Sequence, residues 1–131
     1  MNAPSEKRTV LVVDDDRDIR LTLAEILEDE GYNVHIASNG REALEVLGRN
    51  TEPVSLIVLD LMMPEMDGFE FREAQLRDKR ISEIPVVALT AWGSGDVPAM
   101  PGVAGCFSKP LELDALLSLV SRFTMPPEPK K

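Results

Sequence analysis

The sequence predicts an α/β fold: a parallel sheet with helices packed on both of its faces. Three observations carry that prediction. Apolar runs without polar alternation recur at residues 10–13, 56–59 and 85–89, and such runs read as strands buried on both faces. Helix-length stretches with apolar residues three and four apart separate them. Strand–helix alternation repeats five times, with crossovers long enough to return each strand parallel to the last.

Taken in order, residues 1–8 are polar, contain Pro4, and read as a disordered leader. The first strand empties into Asp14, Asp15 and Asp16. A helix follows, with Ile19, Leu23, Ile26 and Leu27 on one face, Asp16 as its cap and Gly31 as its terminator. Residues 33–37 form a short strand in which Val34 and Ile36 alternate with Asn33 and His35, which places His35 on the surface. Ser38 or Asn39 opens a second helix with Ala43, Leu44 and Leu47 inward and Gly48 closing it. The third strand runs into Asp60 and a loop containing Pro64 and Gly68. A third helix spans about 68–77, and its apolar face, set by Phe71 and Ala74, is interrupted by Arg72 and Gln75. The fourth strand ends at Thr90. A short fifth strand, 106–108, ends at Lys109–Pro110. Leu113, Leu116, Leu117 and Val120 share one face of the last helix, and residues 125–131 read as a disordered tail. The domain proper is therefore 9–124.

At 131 residues the chain is one domain, with a composition ordinary for a soluble globular protein. Acidic residues outnumber basic ones 23 to 14, giving a formal net charge of −9. That argues against nucleic acid or an anionic membrane as partner, since either needs a basic face. The single cysteine, Cys106, excludes an internal disulfide and a Cys-rich zinc site, and suits a reducing cytoplasm. No apolar run approaches membrane-spanning length, and no secretory signal is evident.

Ligands of open parallel sheets gather outside the carboxyl ends of the strands. Here those ends carry Asp14 and Asp15, Asp60, Thr90 and Lys109. Carboxylates on one rim repel, by on the order of 4 kcal/mol for a pair about 4 Å apart at an effective dielectric near 20. One lysine cannot offset three of them, so a divalent cation is expected, and an all-oxygen donor set suits Mg²⁺. A rim with a carboxylate nucleophile, a hydroxyl and an ammonium is equipped for phosphoryl transfer through an acyl phosphate on Asp60.

The sequence resembles the receiver domain of two-component response regulators over roughly residues 9–123. The motifs that carry the resemblance are Val-Val-Asp-Asp at 12–15, Leu-Asp-Leu-Met-Met-Pro-Glu-Met-Asp-Gly at 59–68, Thr-Ala at 90–91 and Lys-Pro at 109–110. It implies a doubly wound, flavodoxin-like, five-stranded sheet in the order 2-1-3-4-5. It implies that Asp60 accepts phosphate from a histidine kinase or histidine phosphotransfer protein, and that the chain signals by docking to a protein target or by relay. Mg²⁺ would be held by the side chains of Asp15 and Asp60, by the Met62 carbonyl and, through water, by Asp14. Thr90 and Lys109 would bind the phosphoryl group, with a cis peptide before Pro110. Met62 and Trp92 stand where this family flanks the path of attacking water, and neither can orient one; slow self-dephosphorylation is expected. Such a domain is a stoichiometric phosphoacceptor rather than an enzyme.

Other readings remain beside this one. A haloacid-dehalogenase-type phosphatase also uses an aspartate after a buried strand, but wants a second Asp where Met62 stands. A flavin carrier wants a phosphate loop after the first strand, and none is present. A receiver-like interaction module that is never phosphorylated would place no demand on the rim residues. Several positions have simpler explanations: Asp16 as a helix cap, Met62, Met63 and Met66 as loop packing, and Gly68 as a residue permitting a strained backbone. Two departures from the family matter. Cys106 occupies the place of a switch Tyr or Phe. Residues 91–105 hold four glycines and two prolines, so the helix expected between the fourth and fifth strands is broken or missing.

Overall fold

The computed structural model describes residues 8–49, 54–61, 66–90, 105–108 and 113–124. Five strands, β1 (Thr9–Val13), β2 (Asn33–Ala37), β3 (Leu56–Asp60), β4 (Val86–Thr90) and β5 (Gly105–Ser108), form one sheet in the order β2-β1-β3-β4-β5. Every pairing is parallel. Among the described residues four helices accompany it: α1 (Arg17–Asp29), α2 (Gly40–Arg49), α3 (Gly68–Arg77) and α4 (Leu113–Thr124). The interval 91–104, where a broken or missing helix is expected, and the terminal segments lie outside the described residues.

The unbroken apolar runs have the origin the sequence suggests, since successive side chains leave opposite faces of the sheet and both faces are covered. Val10, Val12, Leu56, Val58, Val87 and Leu89 point to one side, where Leu23 and Leu27 of α1 and Leu116 and Val120 of α4 close over them. Leu11, Val13, Ile57, Leu59 and Val86 point to the other, against Ala43 of α2 and Phe71 of α3. Burying each such side chain contributes about 1.5–3 kcal/mol. The two cores hold β1 and β3 as a rigid floor.

α1 starts at Asp16, whose carboxylate accepts from the N–H groups of Asp18 and Ile19. It stops in a Schellman motif: the Gly31 N–H donates to the Glu28 carbonyl and the Tyr32 N–H to the Leu27 carbonyl. Gly31 has φ of 99°, a conformation that suits glycine. α2 corrects one expectation, for it runs through Gly48 to Arg49; an exposed glycine near the end costs too little to stop a helix held by its buried face.

α3 corrects another. Arg72 and Gln75 do not break its apolar face; they are buried on it. Gln75 Nε2 donates to the carbonyls of Ile81 (2.8 Å) and Ile84 (3.1 Å), and its Oε1 accepts from Arg72 Nη1 at 2.7 Å. The turn that leads from α3 into β4 is thereby tied to the helix through side-chain bonds. Burial holds the Arg72 guanidinium below its usual pKa.

His35 is likewise not a surface residue. It is half-buried, and its Nε2 is shielded from solvent without a hydrogen-bond partner. It lines an open groove of about 460 Å³ with Val34, Ile36, Val46 and Arg49. Ile36, expected to point inward, is exposed. β2 is an edge strand whose two faces are both partly covered, so alternation does not separate its inside from its outside.

Candidate functional site

β1 and β3 are neighbours in register, Val13 opposite Leu59, so their carboxyl ends deliver acids to the same place. Asp14 and Asp60 are buried, Asp15 is exposed, and one carboxylate oxygen from each lies within 4.8 Å of the others. These are the three acids expected to converge. The donor chemistry fits a hard divalent cation, which takes carboxylate oxygens and retains water in its remaining positions. Thr90 closes β4 on the same edge, its backbone paired with Ser108, and Cys106 of β5 pairs with Ala88. Met62, Trp92, Lys109 and Pro110 lie outside the described residues.

The loop after β1 is held from several sides. The Asp14 N–H donates to the Ala37 carbonyl at 3.1 Å, continuing the β1–β2 ladder by one residue. Asp14 Oδ1 accepts from the Asp16 N–H at 2.9 Å, and the Asp14 carbonyl accepts from Arg20 Nη1 at 2.8 Å. Arg20 was not singled out by sequence; an arginine one turn into a helix carries no signal of the carbonyl it will reach.

The loop after β3 is held by close backbone approach. The Leu61 N–H donates to the Leu89 carbonyl, and the Gly68 N–H to the Leu61 carbonyl. A Cβ at Gly68 would stand 2.8 Å from both the Asp60 carbonyl oxygen and Leu61 Cα. Gly68 is therefore there for proximity. The expected strained backbone is absent, since it begins α3 and Gly31 holds the positive φ among the described glycines. Asp67 caps that helix in a capping box with Glu70. Met66 packs against the core as loop filling, and its carbonyl accepts from the Gly40 N–H at 3.0 Å. α2 therefore starts against the loop that follows Asp60.

A third loop borders the rim. Glu42 accepts from both the N–H and the hydroxyl of Ser38, and Asn39 Oδ1 accepts from the Glu42 N–H. The Ser38 N–H, then its hydroxyl, and more weakly the charge of Arg20 hold the Glu42 carboxyl below its usual range.

Comparison with known proteins decides what this arrangement belongs to. The profile of the response regulator receiver domain matches residues 10–121. The chain belongs to the response regulator receiver family. This receiver is 38% identical over 124 residues to an uncharacterised 14.6 kDa protein of Leptolyngbya boryana, covering 91% of this chain and 93% of that one. It is 34% identical to the response regulator Rre1 of Synechocystis, covering 88% of this chain and 51% of that protein. The receiver thus spans nearly all of one relative and about half of the other. Among solved structures, the chemotaxis response regulator CheY4 of Vibrio cholerae superposes with a TM-score of 0.80 at 32% identity, covering 89% of this chain and 98% of that one. The expected fold and family both stand. Receiver domains typically bind Mg²⁺ at an acidic cluster, and the receiver has such a cluster in Asp14, Asp15 and Asp60. They interact in general with histidine kinases or phosphotransfer proteins and with downstream targets. No helix among the described residues is long and apolar enough to cross a membrane.

Proposed function

We propose that this receiver takes a phosphoryl group from the phosphohistidine of a histidine kinase or phosphotransfer protein onto Asp60, and signals through the phosphorylated form by docking or relay. The observation that carries the reading is the convergence of Asp14, Asp15 and Asp60 within 4.8 Å at the carboxyl edge. An Asp60 oxygen attacks phosphorus, the P–N bond breaks, and its electron pair returns to that imidazole nitrogen; the proton on the other ring nitrogen of the phosphohistidine lets the imidazole leave neutral. Asp60 suits the part because it is buried at the end of a rigid strand, with its direction of approach set by the floor beneath it. Asp14, Asp15, Asp60 and the Met62 carbonyl are the groups that would hold Mg²⁺. When bound, the cation supplies charge that offsets the carboxylates and the transferring oxygens. Thr90 and Lys109 would bind the phosphoryl oxygens, with Pro110 fixing the turn after Lys109. Trp92 and Met62 would limit access of water, and Cys106 would shape the response behind Thr90.

Intact mass after incubation with acetyl phosphate tests this directly. The wild type should gain one phosphoryl group when Mg²⁺ is present and none with excess chelator, and Asp60→Asn should gain none. Full labelling of Asp60→Asn would overturn the assignment; a wild type labelled neither by acetyl phosphate nor by a phosphorylated kinase would favour an interaction module that acts without phosphate.

A further inference from the structure

We propose that Arg20 is a positioning residue for cation binding at the rim, an inference that rests on the reading of Asp14, Asp15 and Asp60 as a metal-binding set. Arg20 stands one turn into α1, its own N–H bonded to the carbonyl of the cap Asp16 at 2.9 Å. Its guanidinium turns back over that cap and donates from Nη1 to the Asp14 carbonyl, 2.8 Å away. That carbonyl belongs to the peptide joining Asp14 to Asp15. A peptide unit is planar, so a bond that fixes its oxygen also fixes the direction in which the chain enters Asp15.

The consequence follows from the repulsion at the site. Two adjacent residues both present carboxylates to a third, Asp60, with oxygens within 4.8 Å. Asp60 is held by the β3–β4 ladder and by the close approach of Gly68. Asp14 is held by its N–H on Ala37 and by its Oδ1 on Asp16. The Asp16 bond closes a turn around the peptide that follows Asp14, and the Arg20 bond adds the restraint on that peptide's own oxygen. Without it the Asp14–Asp15 peptide keeps the turn but loses the hold on its oxygen, and a tilt of the peptide carries the exposed Asp15 carboxylate outward and eases the repulsion. A cation would then have to collect its ligands at the expense of its own affinity.

Arg20 also carries charge, and charge acts in the opposite sense, since a guanidinium near the rim disfavours a second cation. Part of that charge faces Glu42, whose carboxylate it helps keep ionised. A planar guanidinium holds a carbonyl with less loss of side-chain freedom than an ammonium on a flexible stem. On this proposal positioning outweighs repulsion, so removing Arg20 weakens cation binding rather than strengthening it.

Titration calorimetry of the full chain with Mg²⁺ separates these effects. The wild type binds; Arg20→Leu, lacking donor and charge, binds about tenfold more weakly, the scale seen when a group supporting a metal ligand is lost. Arg20→Lys, which keeps one donor and the charge, recovers most of the difference. Gln75→Leu, destabilising but remote, serves as the control and binds as the wild type does. If Arg20→Leu does not fold, Arg20→Met, which also lacks donor and charge, takes its place with the same expectation. Equal or tighter binding by the Arg20→Leu or Arg20→Met variant overturns the proposal, as does an Arg20→Lys variant no better than Arg20→Leu. A wild type that does not bind Mg²⁺ overturns instead the reading of the three acids as a metal set.

Discussion

Replacing Gly68 with alanine adds one methyl group at the point where α3 begins against the end of β3. The new Cβ would meet the Asp60 carbonyl oxygen at 2.8 Å, Leu61 Cα at 2.8 Å and Leu61 Cδ2 at 2.9 Å. Carbon atoms in contact ordinarily stand about 3.5–4.0 Å apart. The Leu61 side chain can turn away, but the two backbone atoms cannot move without shifting the peptide that follows Asp60. Overpacking of this kind costs about 1–3 kcal/mol. Alanine gains at most about 1 kcal/mol over glycine in a helix, and less at its first residue. The net loss is therefore about 1–2 kcal/mol, a fall in Tm of about 5–10 °C for a domain of this size. Gly48 supplies the comparison, because a Cβ there meets nothing within 4 Å. Gly48→Ala should gain about 0.5–1 kcal/mol and raise Tm by a few degrees. Urea denaturation followed by far-ultraviolet circular dichroism, at equal m-values, measures both. Displacing Asp60 should also weaken Mg²⁺ binding in Gly68→Ala and leave it intact in Gly48→Ala. A Gly68→Ala variant as stable as the wild type, or shifted in the same direction as Gly48→Ala, would refute the reasoning.

Gln75→Leu removes the donors to the Ile81 and Ile84 carbonyls and the acceptor for Arg72. A loss of about 3 kcal/mol is expected in urea denaturation, and one below about 1 kcal/mol would show that water replaces the amide. Asp60→Asn removes one of three converging charges and should stabilise the metal-free protein by about 1 kcal/mol at low salt; thermal melts in chelator that show no gain would mean the acids do not strain one another. Glu42 gives a pH dependence with a definite sign. Its carboxyl ionises below the usual range when folded, so its contribution is present above the unfolded carboxyl pKa and is lost as pH falls through the folded one. The stability difference between wild type and Glu42→Gln should shrink on acidification across that window, and a difference independent of pH would assign it to packing.

What could be read from the chain was whatever depends on one segment at a time. The runs ending in Asp14 and Asp60 read as buried parallel strands because they are short, rich in branched residues and followed at once by acids and turn residues. Their joint arrival at one edge follows from parallel direction alone. Contacts between segments were harder. Gln75 looked like an interruption because periodicity scores polarity and cannot see the two carbonyls of the next turn that require an amide. Gly68 reads as a residue permitting a strained backbone because glycine after Asp commonly does so; the backbone of Asp60 and Leu61 lying against it has no signature in a single chain. His35 was assigned to solvent by a rule of two that holds only for sheets covered on one face. Arg20 gave no signal, since its partner is a main-chain oxygen that every residue possesses.

Three of the described helices, α1, α2 and α3, share a feature at their starts with a bearing on selectivity. Asp16 occupies the N–H groups of Asp18 and Ile19, Asn39 that of Glu42, and Asp67 that of Glu70. An uncapped helix start is a ready cradle for phosphate, and many nucleotide-binding sheets are built on one. Here the chain has filled those cradles with its own oxygens and placed further carboxylates between them. A free phosphate or nucleotide approaching these helix starts meets N–H groups already bonded to Asp16, Asn39 and Asp67. If Asp60 accepts phosphate as proposed, the occupied caps would leave these helix ends weak competitors for free anions, and selection would rest with the acids of the rim.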